Sequence, residues 1–400
     1  MISKDEITEA RRKKHRKYQM RRAGVLLAVV GCIAAAAILI SLLTPTTFRD
    51  ISDTFKVFFT SASDFPAELS GGTIKEEKQL RNAEMILTKS TITFISDNGT
   101  EMFSDSISMS DPWAECGKTR TLLFDRGNKD IRVYNRTSLL RTISTDNPII
   151  DGDMSRDGDA AVLTESSDYT AELKIYTKAS YSESMTWYCA DGFPYSVEIS
   201  DDGGLAAVSA LEVSDSGEYT KIYIIDTGKK KELLSVDVDG LVQAVEWGQS
   251  GSFVVFTQGK VAKFSQKGEK TAEADVYEMS LMGTWNADGT VFAAAYGTNS
   301  ISDINAIVIF DRNLEKLCTL EDVGQIDDIY LKKNSIYVLG GGTVSAYDVS
   351  GTPAGTYAVD NGAEYIEVFQ YDIWCIGQNS IVRIGIGEEN SNGSDSMDSA

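Results

Sequence analysis

The sequence predicts an all-β chain: a β-propeller of seven blades, with eight as the alternative, preceded by one transmembrane helix. Three observations carry this. A turn recurs as Ser155-Arg156-Asp157-Gly158, Ser200-Asp201-Asp202-Gly203, Gly248-Gln249-Ser250-Gly251 and Asn286-Ala287-Asp288-Gly289, each time ahead of an apolar run such as Ala160 to Leu163 or Phe253 to Phe256. Its glycines are 45, 48 and 38 residues apart. A polar turn ending in glycine between two strands is hairpin chemistry, because glycine supplies the positive φ that the turn needs. A period near 40 residues is that of propeller blades, none of which can bury its own face alone. The third observation is a run of 21 residues, 23–43, without a charge.

That run spans about 30 Å as a helix, the thickness of a hydrocarbon core. Residues 1–22 carry nine Lys/Arg against Asp5, Glu6 and Glu9, and this basic tail places the N-terminus in the cytoplasm and the rest outside. The expected location is the plasma membrane, single-pass. A cleaved signal peptide would be shorter and would end in a small-residue site. Val29-Val30-Gly31-Cys32 resembles a lipobox, so lipidation at Cys32 is an alternative, although the residues after it stay apolar.

Residues 44–82 read as a juxtamembrane connector. Phe48, Ile51, Phe55 and Phe58 recur at helical spacing, which suits either an interfacial helix or one packed on the propeller rim. The propeller is placed at 83–387. The segments 173–176, 222–226, 261–264 and 307–311 read as outer strands. The last unit, around 373–384, stops one strand short, and the first strands, around 91–107, lack a blade of their own. Pairing the two would close the ring and remove both sheet edges, giving seven blades; eight follow if 83–107 form their own. Residues 388–400 are polar, acidic and low in complexity, the composition of a disordered tail.

The chain carries a formal charge of −21, and −27 without its basic tail. An acidic body lacks the basic footprint that nucleic-acid phosphates require. The sole histidine, His15, lies in the tail, so no His-containing triad, dyad or metal site can form in the ring. Cys116, Cys189, Cys318 and Cys375 lack metal-ligand spacing and read as small buried hydrophobes. Gly340-Gly341-Gly342 reads as a hairpin turn, and the sequons at Asn98, Asn135 and Asn392 matter only in a eukaryotic secretory pathway.

The repeats resemble those of TolB-like propellers. Trp247 and Trp285 stand at that family's tryptophan position, and Asp157, Asp202 and Asp288 at its aspartate; Met154 and Ile199 replace the tryptophan, and no repeat keeps the proline. Ile225-Asp226-Thr227-Gly228-Lys229 is similar to the signature of quinoprotein-like and WD-repeat-like propellers. The chain also resembles uncharacterised, membrane-anchored propellers of Gram-positive bacteria. These resemblances imply a fold and carry no catalytic residue onto this sequence.

Asp153, Ser155, Asp157 and Asp159, with Gly158 between them, resemble a calcium loop, but the twelfth position is Thr164 rather than glutamate. A hairpin turn explains the segment better, so no catalytic, cofactor or metal residue is assigned and calcium at these four is the alternative. The expected function is a binding or scaffolding module outside the membrane, with a protein or cell-envelope ligand on the propeller. The alternative is a carboxylate- and metal-dependent enzyme in the channel, lactonase-like or quinoprotein-like. Convergence of three or more inward carboxylates on one point would favour that alternative.

Overall fold

A computed structural model describes residues 45–386 except 64, 70, 71, 216, 299–303, 322, 360, 361, 370 and 371. The basic tail, the apolar run 23–43 with Cys32, and the tail 388–400 lie outside the described residues. Among the described residues no helix is long and apolar enough to cross a membrane. The chain divides into two compact units, Met1–Ile51 and Ser52–Ala400, and the second holds the ring.

The ring has eight four-stranded antiparallel sheets, not seven. The blades occupy 74–106, 112–144, 149–189, 193–239, 242–275, 280–321 and 328–358, and the eighth combines 365–385 with Ala67–Glu68. In each of blades 1 to 7 the first strand is innermost and the fourth is outermost. The segments expected as outer strands are therefore third strands, each followed by another such as Lys231–Asp239 or Lys270–Asp275. Those fourth strands alternate between exposed and half-buried residues along their length. One solvated face makes them hard to tell from polar loops. Second strands such as Ala160–Thr164 and Phe253–Thr257 are buried throughout and read as continuous apolar runs.

Ring closure also differs from expectation. The outer strand of blade 8 is Ala67–Glu68, paired as Ala67 with Ile381 and Glu68 with Ser380. Residues 91–106 instead complete a full first blade that begins at Ile74. That blade was hidden because its inner strand reads Lys75-Glu76-Glu77-Lys78-Gln79, a string that resembles a solvated linker. Around the closing strand a small core gathers Ala67, Ile74, Ile86, Trp374, Ile376 and Ile381. The fully buried Trp374 packs against Phe65 at 5.2 Å and Phe369 at 4.7 Å between ring centroids.

The stripe at Phe48 to Phe58 does form a helix, α1 (Pro45–Phe58). Asp53, 2% exposed, accepts two hydrogen bonds from the Arg136 guanidinium, at 3.0 and 2.8 Å, and Arg136 is itself 3% exposed in the outer hairpin of blade 2. Residues 60–63 then cling to the turn after Ser96: Asn98 Nδ2 donates to the Thr60 carbonyl at 3.0 Å, and the Thr100 hydroxyl to that of Ser61 at 2.7 Å. The aromatic stripe takes no part in this docking. Phe55 and Phe58 remain 61% and 79% exposed, and Phe48, Ile51 and Phe59 are exposed as well.

Candidate functional site

The repeated turn lies between the first and second strands of its blade, and all four of its glycines adopt positive φ, from 66° to 102°. In the turn of blade 4 the aspartate is a turn-former: Asp202 Oδ1 accepts from the Gly204 N–H at 2.9 Å and from the Ser200 hydroxyl at 2.8 Å. The turns of blades 4 to 6 converge on one mouth of the channel around a cavity of about 850 Å³, lined by Asp201, Asp202, Gln249, Ser250 and Asp288 among others. Arg156, from the turn of blade 3, reaches into this group and meets Asp288 at 2.6 Å and Asp201 at 3.8 Å.

The four residues of the calcium-like segment are divided among separate tasks. Asp153 accepts from the Met154 and Ile199 N–H groups, each at 2.7 Å. Ser155 Oγ accepts from the Gly158 and Asp159 N–H groups. Asp157 is out at the rim beside Lys118 and Lys178, and Asp159 accepts from the Lys178 N–H at 2.6 Å. Cys116, Cys189, Cys318 and Cys375 are at scattered positions, buried or half-buried.

Deeper in the channel the inner strands show a pattern that the sequence alone did not reveal. A carboxylate on one inner strand accepts a hydrogen bond from the inner strand of the next blade. Glu76 takes the Ala114 N–H at 3.0 Å, Asp151 that of Val197 at 3.0 Å, and Asp328 that of Ile366 at 2.8 Å. Glu246 takes the Thr284 hydroxyl at 2.6 Å. Such bonds satisfy backbone donors that face the channel rather than a strand partner. Burial raises the pKa of these carboxyls, and for Asp153 and Asp328 it does so to about 7 against the opposing pull of the N–H donors.

The seam between blades 8 and 1 is different. On strand Ile74–Leu80, Glu76 and Lys78 face blade 2, where Lys78 pairs with Glu115 at 2.6 Å. Glu77 and Gln79 face the other way, and Gln79 is registered opposite Glu84 of strand Ala83–Thr88, so Glu84 lies on that same face. There they meet Glu367 of the blade 8 inner strand Tyr365–Val368, and one carboxyl oxygen each of Glu77, Glu84 and Glu367 lies within 4.8 Å of the other two. Glu84 is 0% and Glu367 6% exposed. Both Glu84 oxygens and one oxygen each of Glu77 and Glu367 are buried without a hydrogen-bond partner. Burial first, then mutual repulsion, pushes all three carboxyls well above the usual range. The Met85 and Lys78 N–H groups moderate this for Glu84 without bonding to it. Lys332 is also near, but its ammonium donates to the Phe369 carbonyl at 2.9 Å. A channel cavity of about 550 Å³ opens onto Glu77, Glu367, Asp328, Gln79 and Tyr330, and the Tyr330 hydroxyl donates to Gln79 at 3.0 Å.

The sequence signal for this site is a lone acid inside an apolar strand: Glu84 before Met85-Ile86-Leu87, and Glu367 between Ile366 and Val368. It escapes the reading that ends the connector at 82, because Glu77 is then assigned to a loop and Glu84 to a frayed strand end.

Comparison with known proteins fits the fold. No curated protein matches the chain. The C-terminal WD40 domain of Sif2 is similar in structure, with a TM-score of 0.57 at 11% identity, covering 82% of this chain and 99% of that one. BamB from Moraxella catarrhalis scores 0.48 at 12% identity, covering 80% and 98%. Kuenenia stuttgartiensis hydrazine synthase scores 0.49 at 14% identity, covering 71% and 97%. In sequence, a match to a family of unknown function spans residues 67–386. It starts at the first residue of the closing strand and ends just past the last strand of blade 8, so it covers the ring itself. The chain belongs to the family of unknown function DUF5711.

Proposed function

We propose that the protein is a membrane-anchored, extracytoplasmic propeller that serves as a binding or scaffolding module at the cell envelope. The observation that carries this reading is helix α1. Its polar side is fixed to the ring through Asp53 and Arg136, while Phe55, Phe58 and Phe59 face outward. Exposed aromatics on a helix that follows an uncharged 21-residue run suit an interfacial position beside a membrane span. The ligand surface is the mouth built from the turns of blades 3 to 6. Its cavity is loop-lined, polar and acidic, which suits a cationic or hydrogen-bonding partner better than nucleic acid.

The topology is tested with a membrane-impermeant maleimide on intact cells carrying Lys267→Cys, a change in an exposed rim turn. Labelling of the variant above the wild-type background is expected. Labelling only after lysis would overturn the outward orientation. The second reading, a carboxylate- and metal-dependent enzyme in the channel, is favoured by the convergence of Glu77, Glu84 and Glu367. Metal-dependent turnover of lactone or ester substrates that is lost in Glu367→Gln would favour it over a purely binding role.

A further inference from the structure

Glu77, Glu84 and Glu367 present a charge problem that no cationic side chain among the described residues resolves, and only Glu77 and Glu367 are placed to share a proton. Three carboxylates converge, two of them more than nine-tenths buried, and four of their oxygens lack a hydrogen-bond partner. An isolated buried carboxylate is costly, and proteins meet that cost with a partner, a proton or a metal ion. The nearby ammonium groups are committed elsewhere, that of Lys78 to Glu115 and that of Lys332 to the Phe369 carbonyl. Asp328 adds further negative charge, and its own carboxylate already accepts from the Ile366 N–H.

Hard oxygen donors without histidine or thiolate select calcium, magnesium or manganese over zinc or copper. Coordination habit separates the first two: calcium takes several carboxylates in a flexible all-oxygen sphere, whereas magnesium demands near-ideal octahedral geometry and usually keeps several waters with one or two carboxylates. Three converging carboxyl groups favour the ion that takes more of them. Glu77 is half-buried and lines the channel cavity, so an entry path exists, and water there can complete the coordination.

We propose that Glu77, Glu84 and Glu367 bind a calcium-class divalent cation that staples the last blade of the ring to the first. Glu77 and Glu84 belong to blade 1 and Glu367 to blade 8, so the ion bridges the seam between the ring's last and first blades.

The test uses the full chain stripped with EDTA, calorimetric titration with calcium chloride and, in parallel, magnesium chloride, and thermal melting in each state. One saturable calcium site with a rise in melting temperature is expected for the wild type and for Asp157→Asn. Glu84→Gln and Glu367→Gln are expected to weaken binding about tenfold or more while melting no lower than the wild type in EDTA, which shows that they fold. No saturable heat and no melting shift in the wild type would overturn the proposal. So would a preference for magnesium, calcium binding undiminished in Glu84→Gln, or loss of binding in Asp157→Asn.

Discussion

Blades 3 to 6 and the seam of blades 7, 8 and 1 use acidic residues in opposite ways. In blades 3, 4 and 6 an Asp sits in the turn after the inner strand, at the rim, where N–H donors, lysines or Arg156 answer it and water is close. At the seam, glutamates sit inside strands, on a face between two sheets, with oxygens that no protein group answers. The first arrangement stays at the surface: Asp202 bonds its own turn, and Asp157 and Asp288 meet cations of neighbouring turns. The second exists only once the ring has closed, and it carries a standing electrostatic cost. Acidic composition alone cannot separate the two.

The contrast can be broken at several points. The largest effect is expected at the seam core: Trp374→Ala should cost about 3–5 kcal/mol in chemical denaturation, since it empties the buried space against Phe65 and Phe369. A much smaller loss would mean that closure does not limit stability. Next comes pH. Carboxyls with raised folded-state pKa values bind protons that the unfolded chain has already released, so stability is greatest in acid and falls as pH rises. For Asp153 and Asp328 the loss runs from the ordinary carboxylate range near 4 up to about 7 and then stops. The melting temperature in EDTA should therefore be higher at pH 5 than at pH 8, and Glu84→Gln should narrow the gap. A melting temperature that climbs between pH 5 and pH 8 would show that the buried acids find cations after all.

At the rim the expected effects are smaller. Gly203→Ala forces a side chain into φ 72°, with its Cβ 2.7 Å from Asp159 Oδ2, and should cost about 1–2 kcal/mol by denaturant titration. Arg156→Ala removes exposed ion pairs and should change stability by less than about 1 kcal/mol. Equal losses for these two rim variants would mean that the turn glycine is unstrained or that the Arg156 bridge is structural.

What the sequence made legible follows the same division. Gly158, Gly203, Gly251 and Gly289 stand out because positive φ favours glycine there, so the hairpins of blades 3 to 6 repeat visibly. In blade 1 the corresponding tight turn is Arg81-Asn82, with Asn82 taking the positive φ of 58°, and the signature disappears. The inner strand before it is charged because its side chains face a neighbouring blade and the channel, so alternation of apolar and polar residues fails as a guide. A blade was missed for that reason, and with it Glu77 and Glu84. The closing strand, two residues long, is set by what it pairs with rather than by its own composition.

The order of attachments along the N-terminal segment has a mechanical consequence. A pull on the chain from its N-terminal side loads the Asp53–Arg136 pair, and after it the bonds from Asn98 and Thr100 to residues 60 and 61. The load enters blades 2 and 1 there, at a buried charge pair, before it can reach Ala67–Glu68. The shortest strand in the ring, the one that would unzip most readily, lies on the slack side of the knot.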